Sequence, residues 1–355
     1  MDMMDYIRQQ SSVLSKALDD RSRITETFRR VFKEESPDHI YLVASGTSRN
    51  AAKAAAPFME DCLGIEVSVF SATSAKDFFG ERPLVIYISQ GGNSTNTIAA
   101  IERNRDILSI AMTGNPDGVI NTMVENYVEI PCGEETVGPK TKGYTTTVLQ
   151  LYLFALEAAV ECGIRSESYH DDVIGDLKRM VVAMDSNVEA SDEWVTRNSG
   201  RLQGMKTAYV VGKGVDASVA DEGALKIMET LLIPAVGFEC EEYLHGPSCS
   251  VADMTAGIYM MPPASDSKDL PRFEALVKYH RCACDQTFTF SGTKSRDERD
   301  LWLTLSDNLY MRPFEYIIPI QILSARIPSL KGVEGLGHDR FKVLDGLVKT
   351  KARHD

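Results

Sequence analysis

The chain is predicted to fold as two tandem α/β domains, each a mostly parallel five-stranded sheet covered by helices on both faces. Three observations lead there. Five short apolar runs between residues 39 and 130 alternate with helical stretches, as expected of strands buried on both faces. The alternation restarts at Thr207 with five more runs, a repeat of architecture with very little residue identity. At 355 residues the chain is long enough for two full-sized cores.

Residues 4–33 read as one or two amphipathic helices, with Tyr6, Leu14, Phe28 and Phe32 set among charges. Acids and bases alternate there and no helix-turn-helix is evident, so packing is expected rather than contact with DNA. Strand 39–43 runs into the turn Ala44-Ser45-Gly46-Thr47-Ser48 and a helix over 49–62. Strands follow at 65–70 and 84–89. The turn Gln90-Gly91-Gly92-Asn93-Ser94-Thr95 then opens a helix to about residue 104, and strands at 108–113 and 127–130 complete the first set. An apolar helix over 148–159 and a charged helical stretch over 163–200 lead to the second half. There, strand 207–211, the turn Gly212-Lys213-Gly214 and the helix carrying Glu222 repeat the opening pattern. Strands at 236–239, 256–261, 286–290 and 301–305, with helices at 273–284 and 314–329, fill it out. The expected segments are an N-terminal helical piece (1–33), a first sheet domain (34–165), a helical bridge (166–200), a second sheet domain (201–330) and a basic, glycine-punctuated tail (331–355).

Composition narrows the function. A net charge of −13 argues against nucleic acid or an anionic membrane as the main partner, and no apolar run approaches membrane-spanning length. Neither a signal core nor a zinc-type cysteine pair is visible: the seven cysteines are scattered, and Cys282 and Cys284 have one residue between them. Free thiols, a cytoplasmic location and no metal are the expectations. Neither small polar turn contains GxGxxG and there is no P-loop, so no cofactor is expected.

Two groups of residues carry chemistry. Lys226 and Glu229, three apart on a helix, share a face, and His245 follows sixteen residues later in a turn closed by Gly246 and Pro247. A carboxylate, an ammonium and an imidazole can move protons on a sugar phosphate near neutral pH. The same spacing also reads as a surface ladder of Glu222, Lys226 and Glu229 with an unrelated histidine. The second group is the pair of hydroxyl-rich turns, Thr47-Ser48 and Ser89-Gln90 to Ser94-Thr95, each ahead of a helix. Helix N-termini favour phosphate, and each hydrogen bond to a charged group contributes about 1.5–3 kcal/mol, so no arginine is required. As an alternative, these residues are helix N-caps and nothing more.

Glu222-Gly223-Ala224-Leu225-Lys226, Glu229 and His245-Gly246-Pro247, with Val211 to Gly214 upstream, resemble the second half of the sugar-isomerase (SIS) region of glucosamine-6-phosphate synthases. Ser48, Ser89, Gln90 and Ser94 resemble the phosphate-binding positions of its first half, with Gly91 where the family usually has a serine. The resemblance implies tandem SIS domains, with Glu229, His245 and Lys226 as the phosphosugar isomerase residues. Pocket positions follow at Gly46, Thr47, Gly91, Gly138 and Lys140, the last in place of a family serine. It also implies a homodimer in which the histidine loop crosses the interface. No lysine of the tail falls unambiguously on the family's C-terminal active-site position; Lys342 and Lys349 are nearest. The chain begins Met1-Asp2 and reaches its first strand by residue 40, so no glutaminase and no internal ammonia source are expected. The outline is most similar to stand-alone fructosamine-6-phosphate deglycases, which split a sugar phosphate joined to an amino acid amine. An aldose–ketose isomerase or amino-sugar-phosphate deaminase is one alternative, and a non-catalytic phosphosugar-binding regulator another.

Overall fold

The structure, a computed structural model, describes residues 1–75, 77–333, 343–344 and 346–352. Four short helices open the chain: α1 (Met3–Arg8), α2 (Gln10–Asp19), α3 (Arg21–Ile24) and α4 (Glu26–Glu35). The first sheet is built from β1 (His39–Ala44), α5 (Gly46–Leu63), β2 (Glu66–Ser71), β3 (Pro83–Ile88), α6 (Thr95–Arg103), β4 (Ser109–Thr113) and β5 (Asn126–Glu129). Then come α7 (Lys142–Glu161), α8 (Glu167–Arg197) and α9 (Ser199–Gly204). The second sheet takes β6 (Thr207–Gly212), α10 (Val215–Leu231), β7 (Ala235–Glu239), α11 (Cys240–Leu244), β8 (Thr255–Met260), α12 (Leu270–Ala283), β9 (Thr287–Ser291) and β10 (Asp300–Trp302), before α13 (Arg312–Glu315) and α14 (Ile317–Leu330).

Both sheets have five strands, ordered β2-β1-β3-β4-β5 and β10-β9-β8-β6-β7, and every described pairing is parallel. The expected fold class is therefore observed. The central strands explain it: Leu84 to Ile88 and Thr255 to Met260 are buried along their whole length, which only a sheet covered on both faces allows. Helix bounds differ more than strand bounds. α5 begins three residues earlier than the apolar pattern suggests, taking Gly46, Thr47 and Ser48 into its first turn, and α7 begins six residues earlier, at Lys142. Thr145, Thr146 and Thr147 are buried in that early stretch, so their β-branched side chains face the core despite their polarity.

The chain divides into two compact units. The first comprises residues 12–136, 142–178 and 340–355, and the second residues 1–11, 137–141 and 179–339. In the first unit α7 is buried around nearly its whole girth, with Phe154 stacked on Phe28 of α4 at 4.8 Å. In the second, α14 is similarly enclosed, and Gln321 on it pairs with Gln10 at 2.8 Å, so a buried polar side chain keeps its hydrogen bond.

That second core also holds charges. Arg312 and Glu315 are buried and Asp216 is partly buried, and Asp216 Oδ1, Glu315 Oε2 and Arg312 Nη1 have no hydrogen-bond partner. Burial pushes the Asp216 carboxyl up to about 7, Arg312 opposing and Glu315 adding to the rise. Burial likewise pushes Glu315 up to about 7 against Arg312 and the Ser306 N–H. A carboxyl whose folded pKa lies above its unfolded value favours folding only while protonated. The folded chain therefore holds more protons than the unfolded one between about pH 4 and 7, and stability falls across that window as pH rises. Each group contributes a slope of about 1.4 kcal/mol per pH unit. Asp216→Asn should flatten the fall and leave the protein more stable than wild type at pH 8; parallel urea-denaturation curves at pH 4.5 and 8 check this.

Candidate active site

In the first sheet, the chain leaves β1 toward β2 on one side and returns to β3 on the other. That reversal opens a crevice at the carboxyl ends of β1 and β3, where open α/β sheets bind ligands. Three helices begin around it. Asn96 of α6 donates to Ser45, the N-cap of α5, at 2.7 Å. The Gln90 carboxamide lies against the start of α7, close enough that a Cβ on Gly143 would meet it at 3.0 Å. Three helix N-termini thus converge, each carrying a partial positive charge.

Within the crevice, Ser48 and Thr47 sit half-buried in the first turn of α5, whose opening residue Gly46 has φ +56 and faces open space. Ser89 is buried and its hydroxyl lies 3.2 Å from that of half-buried Ser94, the N-cap of α6, while Gly91 is exposed. The 89–94 turn is held close by backbone packing: a Cβ on Gly92 would meet Gly118 Cα at 2.5 Å, and Asn93 accepts from the Val119 N–H at 3.0 Å. Gln90 behaves differently from the serines. Its Nε2 donates to Cys132 Sγ at 2.9 Å and its side chain packs against Gly114 and Gly143, so the carboxamide is committed inside the unit.

Of the lysines singled out in the sequence, Lys140 is half-buried and donates to Val137 O at 3.0 Å. It belongs, with exposed Gly138, to the segment 137–141 of the second unit. Sequence reasoning missed Lys142, a buried cation at the first position of α7. Positive charge is disfavoured at a helix N-terminus, and Glu135, whose carboxylate accepts from the Gly143 N–H at 3.1 Å, compensates locally. Lys140 and Lys142 differ by two positions in a polar run, so nothing in the sequence separates them. The tail also reaches this unit. Ser94 pairs with Lys351, the Thr95 N–H donates to Thr350 O at 3.1 Å, and the Thr95 hydroxyl reaches Lys349 O at 3.3 Å. The exposed Lys349 therefore has its backbone against the 93–95 turn, whereas Lys342 lies outside the described residues.

In the second sheet the equivalent crevice between β6 and β8 is closed internally, because Lys213 of the Gly212–Gly214 turn is ion-paired with Asp269, the N-cap of α12. The lysine and the two glutamates singled out in the sequence lie elsewhere, on α10. Glu222 and Lys226 are both fully buried, so the ladder is not a surface feature. Lys226 Nζ lies 3.3 Å from Glu222 Oε1 and 2.5 Å from Glu229 Oε2, and the Glu229 side chain keeps 36% of its exposure. Burial alone would lower the Lys226 pKa, but Glu222 and Glu229 outweigh it and hold it above the usual lysine value. Lys226 is therefore a fixed cation, and Glu229 is a carboxylate oriented from beneath and open above.

His245 is exposed and follows α11. Topology separates it from Glu229. The β6-α10-β7 crossover returns α10 toward the amino ends of the strands, and Glu229 lies two residues from the helix end. His245 lies beyond the carboxyl end of β7, a five-residue strand spanning roughly 16 Å. Within one chain the two residues belong to opposite edges of the sheet. Among the described residues, no group of three His, Cys, Asp or Glu side chains could hold a metal, and no helix is long and apolar enough to cross a membrane.

A family model of the SIS domain matches residues 35–160. Over 348 residues the chain is 26% identical to the isomerizing glutamine–fructose-6-phosphate aminotransferase of Gloeobacter violaceus, covering 94% of this chain and 56% of that protein. The chain carries a SIS domain. It is homologous to the isomerase half of those aminotransferases, and it spans about half the length of the curated relatives it matches. The SIS chain superposes on a proposed phosphosugar isomerase from Clostridium difficile 630 with a TM-score of 0.86 at 26% identity, covering 94% of each chain. The C-terminal domain of glucosamine-fructose-6-phosphate aminotransferase from Francisella tularensis shares the fold, with a TM-score of 0.81 at 20% identity over 93% of this chain and 96% of that one.

Removing Lys226 takes from the buried Glu222 carboxylate its cationic partner 3.3 Å away. Lys226→Met should cost about 3–5 kcal/mol at pH 7, and adding Glu222→Leu should restore most of it. Urea midpoints of the two variants measure both effects.

Proposed function

We propose that this SIS protein is a phosphosugar-amine deglycase. Its substrate is a hexose 6-phosphate joined to the amine of an amino acid, of the fructoselysine or glucoselysine 6-phosphate type, and its products are hexose 6-phosphate and free amine. One observation carries the reading: a buried, permanently charged Lys226 aims a half-exposed Glu229 carboxylate outward, while the other unit gathers three helix N-termini and several hydroxyls suited to a phosphate.

In this scheme Ser48, Ser89 and Ser94 hold the 6-phosphate by their hydroxyls, and Gln90 and Gly91 contribute through the main chain. With the sugar open, Glu229 takes a proton from C1, which bears the amine, and leaves an enaminol between C1 and C2. Returning the proton to C2 moves the double bond to the C1–N bond, giving a Schiff base. Water adds at C1, the C–N bond breaks, and amine and aldose 6-phosphate leave. His245 assists ring opening or positions the water. A regulator needs only the phosphate site, and burying Glu222 with Lys226 is a cost that binding alone does not explain.

The separation of Glu229 from His245 within one chain supports a homodimer in which each histidine completes the partner's site. Met228 of α10 and Leu244 of α11, next to Glu229 and His245, leave apolar surface exposed, as does Val236 of β7 between them in sequence, and a second copy would cover it. Seven unpaired cysteines suit the reducing cytoplasm, where such substrates are degraded in this reading.

Glu229→Gln keeps size and most hydrogen bonding but cannot shuttle a proton. It should fold, bind fructosamine 6-phosphate with similar affinity and lose at least about a hundredfold in kcat. In deuterated water the wild type should place deuterium at C2 of the product and the variant should not. Near wild-type turnover by Glu229→Gln would make the carboxylate structural. A panel of hexose 6-phosphates, amino sugar phosphates and amino acid conjugates separates deglycase from isomerase or deaminase by which product appears.

Mixing Glu229→Gln protein with His245→Ala protein should restore roughly a quarter of wild-type activity, since half of randomly paired dimers carry one intact site. No recovery in verified heterodimers would show that each subunit is self-contained.

A further inference from the structure

His245 stands at the crest of a turn that two consecutive residues of α12 bracket. On the upstream side, His280 is fully buried with Nε2 2.7 Å from Thr255 O, so that nitrogen carries the ring proton. Nδ1 is then an acceptor, 2.8 Å from the Tyr259 hydroxyl and 3.4 Å from that of Tyr243, with the two hydroxyls 3.2 Å apart. Tyr243 is fully buried on α11, two residues before His245. The triangle requires a bare backbone at Gly257 in β8, where a Cβ would come within 2.7 Å of the His280 ring.

The downstream side is tied by hydroxyls. Tyr279 donates to Ser248 O at 3.0 Å. Ser250 donates to Pro247 O at 2.6 Å, which spends its only proton, so the Tyr209 hydroxyl 2.6 Å away is the donor to Ser250 Oγ. Gly246 takes φ +140 between the two anchored sides, a conformation few other residues adopt. β6, β8 and α12 thus all hold a segment of eight residues, from Tyr243 to Ser250, whose exposed member at the crest is a histidine.

We propose that Tyr209, Ser250 and Tyr279 are positioning residues for His245, fixing the turn that presents its imidazole. An untethered surface turn would lose conformational entropy each time the imidazole had to be placed; a pinned one has lost it on folding. The role rests on the acid–base part proposed above for His245.

The test uses the full chain carrying Ser250→Ala and Tyr279→Phe together, with fructosamine 6-phosphate as the probe. kcat should fall about tenfold with KM unchanged, roughly the worth of one or two net hydrogen bonds. Ser250→Thr, which keeps the hydroxyl, should retain activity. In a His245→Ala background the same two substitutions should leave the residual rate alone, because no imidazole remains to be placed. Wild-type kcat in the double variant, with His245→Ala impaired, overturns the tether alone. A further tenfold loss in the His245→Ala background also overturns it, by showing an effect that bypasses the histidine. A wild-type rate for His245→Ala overturns the acid–base reading and the tether with it. Amide hydrogen exchange gives a readout independent of substrate: residues 244–250 should exchange about tenfold faster in the double variant, and unchanged exchange overturns the tether.

Discussion

The ion triad inside α10 is the constraint on which the second unit depends. Lys226 has been taken wholly out of water, and two carboxylates on its own helix make that tolerable. Glu222 is as buried as the lysine and helps to neutralise it. Glu229 is half outside, so the same contact that satisfies the lysine also fixes a carboxylate at the surface. One interaction therefore serves the core and orients a surface carboxylate, and α10 must keep its face against β6 and β7 for both to hold.

The first unit is arranged differently, with three helix starts gathered at one crevice. The strand order turns back between β1 and β3, which sets the starts of α5 and α6 side by side, and Gln90 ties in the start of α7. Helix starts brought together in this way carry partial positive charge, which the net charge of −13 does not reveal. In the second unit the corresponding crevice is closed by Lys213 and Asp269, a carboxylate of the chain itself resting at a helix N-terminus. Two similar sheets thus differ at their switch points: helix starts gather at one, and an ion pair bridges the other.

Much of this was legible in the residues. Runs such as Leu84 to Ile88, apolar on both faces, require a covered parallel sheet, and the restart at Thr207 requires a second one. The contact between Lys226 and Glu229 follows from three-residue spacing, because helix geometry is local. Helix starts were less legible at α5 and α7, where glycine, serine and threonine resemble loop residues until their burial is known.

The sequence by itself determined the elements, their alternation and the residue types able to bind phosphate and move protons, since each depends on neighbours within a few positions. Only the tertiary structure decided which face of α10 was buried, that Lys142 rather than Lys140 is the buried cation, and that the Gln90 carboxamide turns to Cys132. It also placed the backbone of Lys349 and Thr350 on Thr95, and tied Tyr209 to Ser250. Those outcomes rest on contacts between residues 41 to 255 positions apart. Periodicity carries no information at that range, because which groups meet is set by how the sheets order their strands and stack their helices.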